Sequence, residues 1–218
     1  MENIFALYKP KGITSNDAVQ KVRSIVGRSV KVGHAGTLDP LAQGVLVIAV
    51  GREATKKISE TVKKEKEYMA EITLGFESST DDAEGEKIEI QFSKKPEIKD
   101  FEKILPEFIG KINQMPPIYS AIKIGGKEAY KYARKGQVVE MQPRGVEIKN
   151  IEILEYAWPV LKVKVITGPG VYIRSLARDI GKKLGVGGYL SFLERTRVGD
   201  FIKEKAVKMD DLPGFLTG

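Results

Sequence analysis

The chain has 218 residues, no cysteine, and 36 Lys and Arg against 29 Asp and Glu, a formal net charge of +7. That length buries a substantial core, no apolar run approaches a membrane span, and the start M-E-N-I-F-A-L-Y-K-P lacks a signal-peptide core. Disulfides are excluded, a cytoplasmic protein is expected, and the basic balance is compatible with an anionic partner, nucleic acid above all.

Residues 4–7 predict a first strand and 8–12 a turn. Thr14 or Ser15 then caps a helix with Asp17 in its first turn. Ala18, Val19, Val22, Ile25 and Val26 fall at helical spacing, and Gly27 suits the stop.

The stretch 33–51 reads G-H-A-G-T-L-D-P-L-A-Q-G-V-L-V-I-A-V-G. Its apolar half, 45–50, predicts a buried strand, and its polar half a loop at the edge of a packed core. Asp39 precedes Pro40, which pushes its backbone towards extended conformations. Gly36 and Gly44 permit a tight turn or a close approach, and His34 is the only histidine. An acid on a stiff loop beside a buried strand is a candidate catalytic carboxylate. Asp before Pro is also ordinary turn chemistry, and the loop alone leaves both readings open. With no Cys, one His and no second acid at ligand spacing, a metal site is disfavoured. No Gly-Lys-Ser/Thr follows the glycines, so a phosphate-cradling loop fails as well.

Further on, 53–64 predicts a charged helix, 63–67 a solvated run of mixed charge, and 68–74 a strand by its period-two alternation. Residues 78–86 read as an acidic surface turn and 88–92 as a short strand. Ile98, Phe101, Ile104, Leu105 and Phe108 mark a helix ended near Pro106. Between 114 and 136, Tyr119, Tyr130 and Tyr132 interleave with Lys123, Lys127, Lys131, Arg134 and Lys135. That mixture fits an RNA-facing surface, or an amphipathic helix with packed tyrosines and solvated lysines. Strands are expected at 146–156 and 161–167. Ile173, Leu176, Ala177, Ile180 and Leu184 share one helical face, with Arg174 and Arg178 one turn apart on another. Residues 190–201 read as a turn into a final strand.

H-A-G-T-L-D-P-L-A-Q-G-V-L resembles the signature of the tRNA pseudouridine synthase B (TruB) family. So do K-P-K-G-I-T-S, K-E-Y-M-A-E-I-T-L-G, the Q-M-P-P-I-Y-S-A-I-K stretch, V-Y-I-R-S, and R-T-R-V-G-D-F near the end. Two positions depart from the family pattern: Ser79 stands where an acid is usual and Val171 where threonine is usual. The resemblance implies an α+β pseudouridine synthase fold, a mixed, largely antiparallel curved sheet flanked by helices with the site in a central cleft. It implies one catalytic domain over 1–218, without the C-terminal PUA domain that many bacterial members carry.

The resemblance also implies roles. Asp39 is the catalytic aspartate, as nucleophile at the sugar or as base; Tyr68 stacks on the target base. Tyr172 transfers a proton or holds the base, and Arg174 pairs with Asp39. Leu193 lines the uracil pocket and Asp82 is a positioning residue, while His34, Tyr119 and Lys123 contact substrate. The implied substrate is the uridine numbered 55 in the T-arm loop of tRNA. No cofactor, metal or obligate protein partner is expected, and the chain is expected to be a monomer. The alternatives are a guide-RNA-dependent synthase of the dyskerin type, a non-catalytic RNA-binding module, and a carboxylate hydrolase. The last lacks a second acid firmly placed opposite Asp39.

Overall fold

Apolar runs that alternate and apolar runs that do not both become strands, and their depth in the core differs accordingly. The computed structural model describes residues 3–133, 135–137 and 139–218; Arg134, counted above in the basic and aromatic stretch, lies outside the described residues. In chain order the strands are β1 (Asn3–Lys9), β2 (Val32–Ala35), β3 (Gln43–Val50), β4 (Lys66–Leu74), β5 (Phe76–Ser78), β6 (Lys87–Glu89), β7 (Gly110–Gln114), β8 (Lys123–Ile124), β9 (Lys127–Glu128), β10 (Arg144–Ala157), β11 (Val160–Thr167), β12 (Gly188–Val198), β13 (Phe201–Ile202) and β14 (Val207–Lys208). The helices are α1 (Ser15–Val26), α2 (Arg52–Val62), α3 (Ile98–Ile104), α4 (Ala129–Ala133), α5 (Ile173–Lys183) and α6 (Leu212–Thr217). The chain divides into two compact units, Met1–Met69 with Ile166–Pro169 and Phe192–Gly218, and Ala70–Val165 with Gly170–Ser191.

In the first unit the strand order is β14-β1-β3-β12, with β2 on β3 and β13 on β12. β1 runs antiparallel to β3, from Asn3 opposite Val50 to Lys9 opposite Gly44. β14 is parallel to β1 and β12 is parallel to β3. β3 is buried from Gly44 to Val50, which accounts for its unbroken apolar run. Ala6, Ala35, Val45, Val47, Ala49 and Val198 form a core with Ala54 and Ile58 of α2, and their small side chains let the helix lie close. Thr14 caps α1 in a reciprocal box: its Oγ1 accepts from Asp17 N at 3.0 Å, and its own N–H donates to Asp17 Oδ2 at 2.8 Å.

In the second unit the order is β4-β11-β10-β7. β10 and β7 pair antiparallel, from Arg144 opposite Gln114 to Ile148 opposite Gly110. Phe101 of α3 packs on Tyr156 of β10 with ring centroids 4.6 Å apart, and the Tyr156 hydroxyl donates to Pro96 O at 2.7 Å. Helix α5 buries Ile173, Leu176, Ala177 and Ile180 as its periodicity predicts, and buries Arg174 and Ser175 with them. The expected α+β class with a mixed sheet holds.

Some expectations are corrected. His34 lies on β2 rather than in the loop, because its neighbours complete a ladder along β3, His34 opposite Ile48. Of the strand expected at 88–92 only Ile88 and Glu89 are strand, as the end of β6, which begins one residue earlier at Lys87. The stretch 114–136 is the end of β7, the β8–β9 hairpin and the short α4, not one amphipathic helix. Over 190–201 the strand β12 comes first and the turn follows at Gly199, φ +54°. Within the supposedly solvated run 63–67, Lys66 is 6% exposed. Its Nζ donates to Val62 O at 2.8 Å and Lys64 O at 2.9 Å, covering carbonyls that the end of α2 leaves open. Among the described residues no helix is long and apolar enough to cross a membrane.

Candidate active site

Asp39 stands on the loop 36–42 between β2 and β3. Leu38, Leu41 and Ala42 are buried around it and Asp39 itself is half-buried, so the loop is plugged into the core on either side of the acid. The start of α1 grips this loop. Ser15 Oγ donates to Leu38 O at 2.9 Å and accepts from Leu38 N at 2.8 Å, and Gly12 N donates to Pro40 O at 2.8 Å. Inside the loop, Ala42 N donates to Asp39 O at 3.0 Å. From β12, the buried Arg195 donates Nε to Val45 O at 2.8 Å and Nη2 to Gly36 O at 2.9 Å. β12 comes close enough that a Cβ at Gly44, where φ is +107°, would sit 2.2 Å from Arg195 O. Only glycine fits there.

The surroundings of this loop are cationic. Lys9 is fully buried, with Nζ donating to Pro10 O at 2.9 Å and Ile13 O at 2.8 Å. Burial pushes its amine down to about 8 against the attraction of Asp39. Lys66 is likewise pushed down to about 8, by burial and then by Arg195. Three buried basic side chains, Lys9, Lys66 and Arg195, thus lie in the unit that carries Asp39, and Asp39 attracts the Lys9 ammonium. His34 is held below its usual value by burial and then by Arg195, and its Nδ1 is buried without a hydrogen-bond partner. Its ring is therefore neutral near pH 7. Tyr68 and Leu193 are 6% and 7% exposed. Next to Leu193, the Glu194 carboxylate accepts from Tyr8 at 2.7 Å, Lys203 at 2.7 Å and Gln43 at 3.3 Å, which pins β12 beside the loop.

In the second unit Arg174 is 5% exposed. Its Nη2 donates to Tyr119 O at 2.8 Å and its Nη1 to Thr80 O at 3.3 Å, with Asp82 Oδ2 at 3.5 Å. Asp82, 3% exposed, is fixed in turn: Thr80 Oγ1 donates to it at 2.5 Å and Glu84 N at 3.0 Å. The acidic stretch read as a surface turn therefore contains a buried anchor. One turn along α5, Arg178 donates to Asp81 at 2.7 Å, Asp179 at 2.9 Å and Met115 O at 2.8 Å. Burial pushes the Asp81 carboxyl up despite Arg178 and Arg174. Tyr172 is the N-cap of α5, and the Gln114 side chain bonds both of its backbone groups, at 2.9 and 3.1 Å.

Arg174, Asp82 and the backbone of Tyr119 are thus brought together. Lys123 is not part of that cluster and stands exposed on β8. Ser15, Lys9, Lys66, Arg195, Thr80, Gln114, Asp81 and Arg178 were not singled out as site residues from sequence. Ser15 sits at the end of K-P-K-G-I-T-S, so that motif carried its signal. The buried cations carried none, because nothing in a Lys or Arg codon's neighbourhood reports that its charge is sequestered.

Residues 23–173 match the model of the TruB family pseudouridylate synthase N-terminal domain, and residues 174–217 that of the tRNA pseudouridylate synthase B C-terminal domain. The chain belongs to the TruB family. It is 43% identical over 213 residues to the tRNA pseudouridine synthase B of Parabacteroides distasonis, covering 95% of this chain and 90% of that one. It is 44% identical over 214 residues to that of Francisella philomiragia, covering 97% and 70%. Among solved structures it resembles a Cbf5–Nop10–Gar1 complex, with TM-score 0.73, 31% identity, 97% of this chain and 54% of that chain. It also resembles an H/ACA RNP bound to a substrate RNA containing 2'-deoxyuridine, with TM-score 0.71, 29% identity, 97% and 52%. It spans about half the length of those two solved chains. As a TruB-family member it is an isomerase that turns uridine into pseudouridine, on the pseudouridine synthase fold.

Proposed function

We propose that this TruB-family chain converts uridine 55 in the T-arm loop of tRNA to pseudouridine, with Asp39 as the reacting carboxylate. The observation that carries the proposal is the rigid seating of Asp39: its loop is held by Ser15, Gly12 and Arg195 while the acid itself is only half-buried. A carboxylate fixed in this way loses little freedom on meeting its target. The chemistry detaches uracil at nitrogen, rotates it and rejoins it through carbon, with no redox change and no group added, so the proposal asks for no cofactor. The base must leave its stack to be reached. Asp39 attacks or deprotonates the sugar, Tyr68 stacks on the base and Leu193 bounds its pocket. Tyr172 transfers a proton or holds the base, and Arg174 orients the Asp39 carboxylate in the RNA complex. Asp82 positions Arg174 through Thr80. His34, Tyr119 and Lys123 meet the RNA. The enzyme works as a monomer in the cytoplasm without an obligate protein partner.

The test is to incubate the protein with unmodified tRNA and map pseudouridine by chemical labelling. A single product at position 55, made equally from an isolated T-arm stem-loop, is expected, with binding that weakens steeply with salt as phosphate contacts are lost. An inert stem-loop beside reactive full-length tRNA would show that recognition extends beyond the loop. Reaction only after a guide RNA is added would favour the dyskerin type.

A further inference from the structure

Arg174 and Arg178 repeat one design, one turn apart on α5. Each guanidinium takes a backbone carbonyl of the segment after β7, Tyr119 O for Arg174 and Met115 O for Arg178, both at 2.8 Å. Each also meets one of two consecutive carboxylates, Asp82 at 3.5 Å for Arg174 and Asp81 at 2.7 Å for Arg178. Ser175, between them, donates to Met115 O as well, at 2.8 Å. Consecutive side chains of an extended backbone point to opposite sides, so two adjacent acids do not ordinarily reach one helix face. Here the alternation is broken at Asp81, the one non-glycine residue with positive φ (+62°) among the described residues. That conformation is unfavourable for a residue with a Cβ, although Asp tolerates it better than most. It is held by Asp81 N donating to Ser78 O at 3.1 Å, Leu190 N donating to Asp81 O at 3.0 Å, and the pair with Arg178.

We propose that Asp81 and Arg178 form a positioning pair for the isomerisation. Touching neither base nor sugar, they clamp the 80–82 loop and the 115–119 segment onto α5 and so fix the two carbonyls that aim Arg174. The role rests on the reading above, in which Arg174 orients the reacting carboxylate. It explains why a strained Asp is kept where glycine would relieve the backbone. It also explains why Arg178 spends donors on Met115 O, the residue that opens the segment leading to Tyr119.

The discriminating variant is Asp81→Gly, which accepts the backbone conformation freely and removes only the carboxylate. Arg178→Lys is its partner, keeping charge but losing the fork. Each is measured for kcat and KM on tRNA, for thermal midpoint, and for deuterium exchange at residues 115–120. Both variants are expected to lower kcat by about tenfold or more, since small displacements of positioning groups are costly. KM stays near wild type, exchange in 115–120 speeds up, and the double variant loses little beyond either single one. A midpoint for Asp81→Gly at or above wild type alongside the kcat loss would separate positioning from folding. Wild-type kcat and unchanged exchange in Asp81→Gly would overturn the proposal. If the wild-type protein itself fails to modify tRNA, the reading of function falls, and the exchange data alone still decide for or against the clamp.

Discussion

The hydroxyl of Ser15 and the peptide of Leu38 satisfy one another completely, donor to acceptor and acceptor to donor, at 2.9 and 2.8 Å in a buried setting. One side chain at the first turn of α1 thereby sets the backbone immediately before Asp39. Ser15→Ala leaves a buried N–H and a buried C=O without partners, at a cost of about 1–3 kcal/mol. We expect a lower melting temperature together with a fall in kcat, because the loop that carries Asp39 loosens. A variant that melts earlier but turns over normally would show that the clamp serves folding alone.

Asp39→Asn keeps shape and removes charge. Turnover should drop to background while RNA affinity stays within about threefold, since backbone contacts supply most of binding. Filter binding and pseudouridine mapping on the same preparation read both quantities, and substantial residual turnover would remove Asp39 from the chemistry.

Arg174→Lys retains one buried cation but cannot reach Thr80 O, Tyr119 O and Asp82 from a single flat group. A kcat loss on the order of tenfold or more is expected, with a small change in KM. Single-turnover kinetics check it, and wild-type rates would show that a point charge suffices.

Lys66 gives a pH signature. Its amine sits at about 8 in the folded chain against an ordinary 10.5. Between those values the unfolded chain holds a proton that the folded chain has released. Stability must therefore rise with pH across that window, and the contribution is smallest below it. Thermal melts of wild type and Lys66→Met at about pH 7 and about pH 9.5 isolate the effect. Wild type should gain on the variant as pH rises, and an unchanged gap would mean that Lys66 is not desolvated as its burial indicates.

Much of this was legible in the residues. The helix cap at Thr14, the buried run at 45–50 and the alternation at 68–74 follow local rules of period and capping, and the structure reproduces them. The TruB signature located the loop of Asp39. What escaped notice depends on how the folded backbone presents its carbonyls and partners, near or far along the chain. Lys66 looks solvated until Val62 and Lys64 present their carbonyls. Arg195 lies 150 residues from the Val45 carbonyl it satisfies. The turn placed before β12 belongs after it, because residues 188–191 contain glycine and polar groups yet still pair: Leu190 bridges to Asp82. Charge and small size signal exposure statistically, and tertiary pairing overrides them.

Gln114 holds a position that admits few substitutes. Its backbone pairs with Arg144 at the end of β7 while its side-chain amide bonds both backbone groups of Tyr172, so one residue ties the strand to the start of α5. A carboxylate there has no donor for Tyr172 O, a thioether has neither partner, and asparagine is one methylene short. The permitted alphabet at position 114 collapses to a single letter for reasons that owe nothing to RNA. An invariant glutamine here would be a mark of architecture, easily mistaken for one of chemistry.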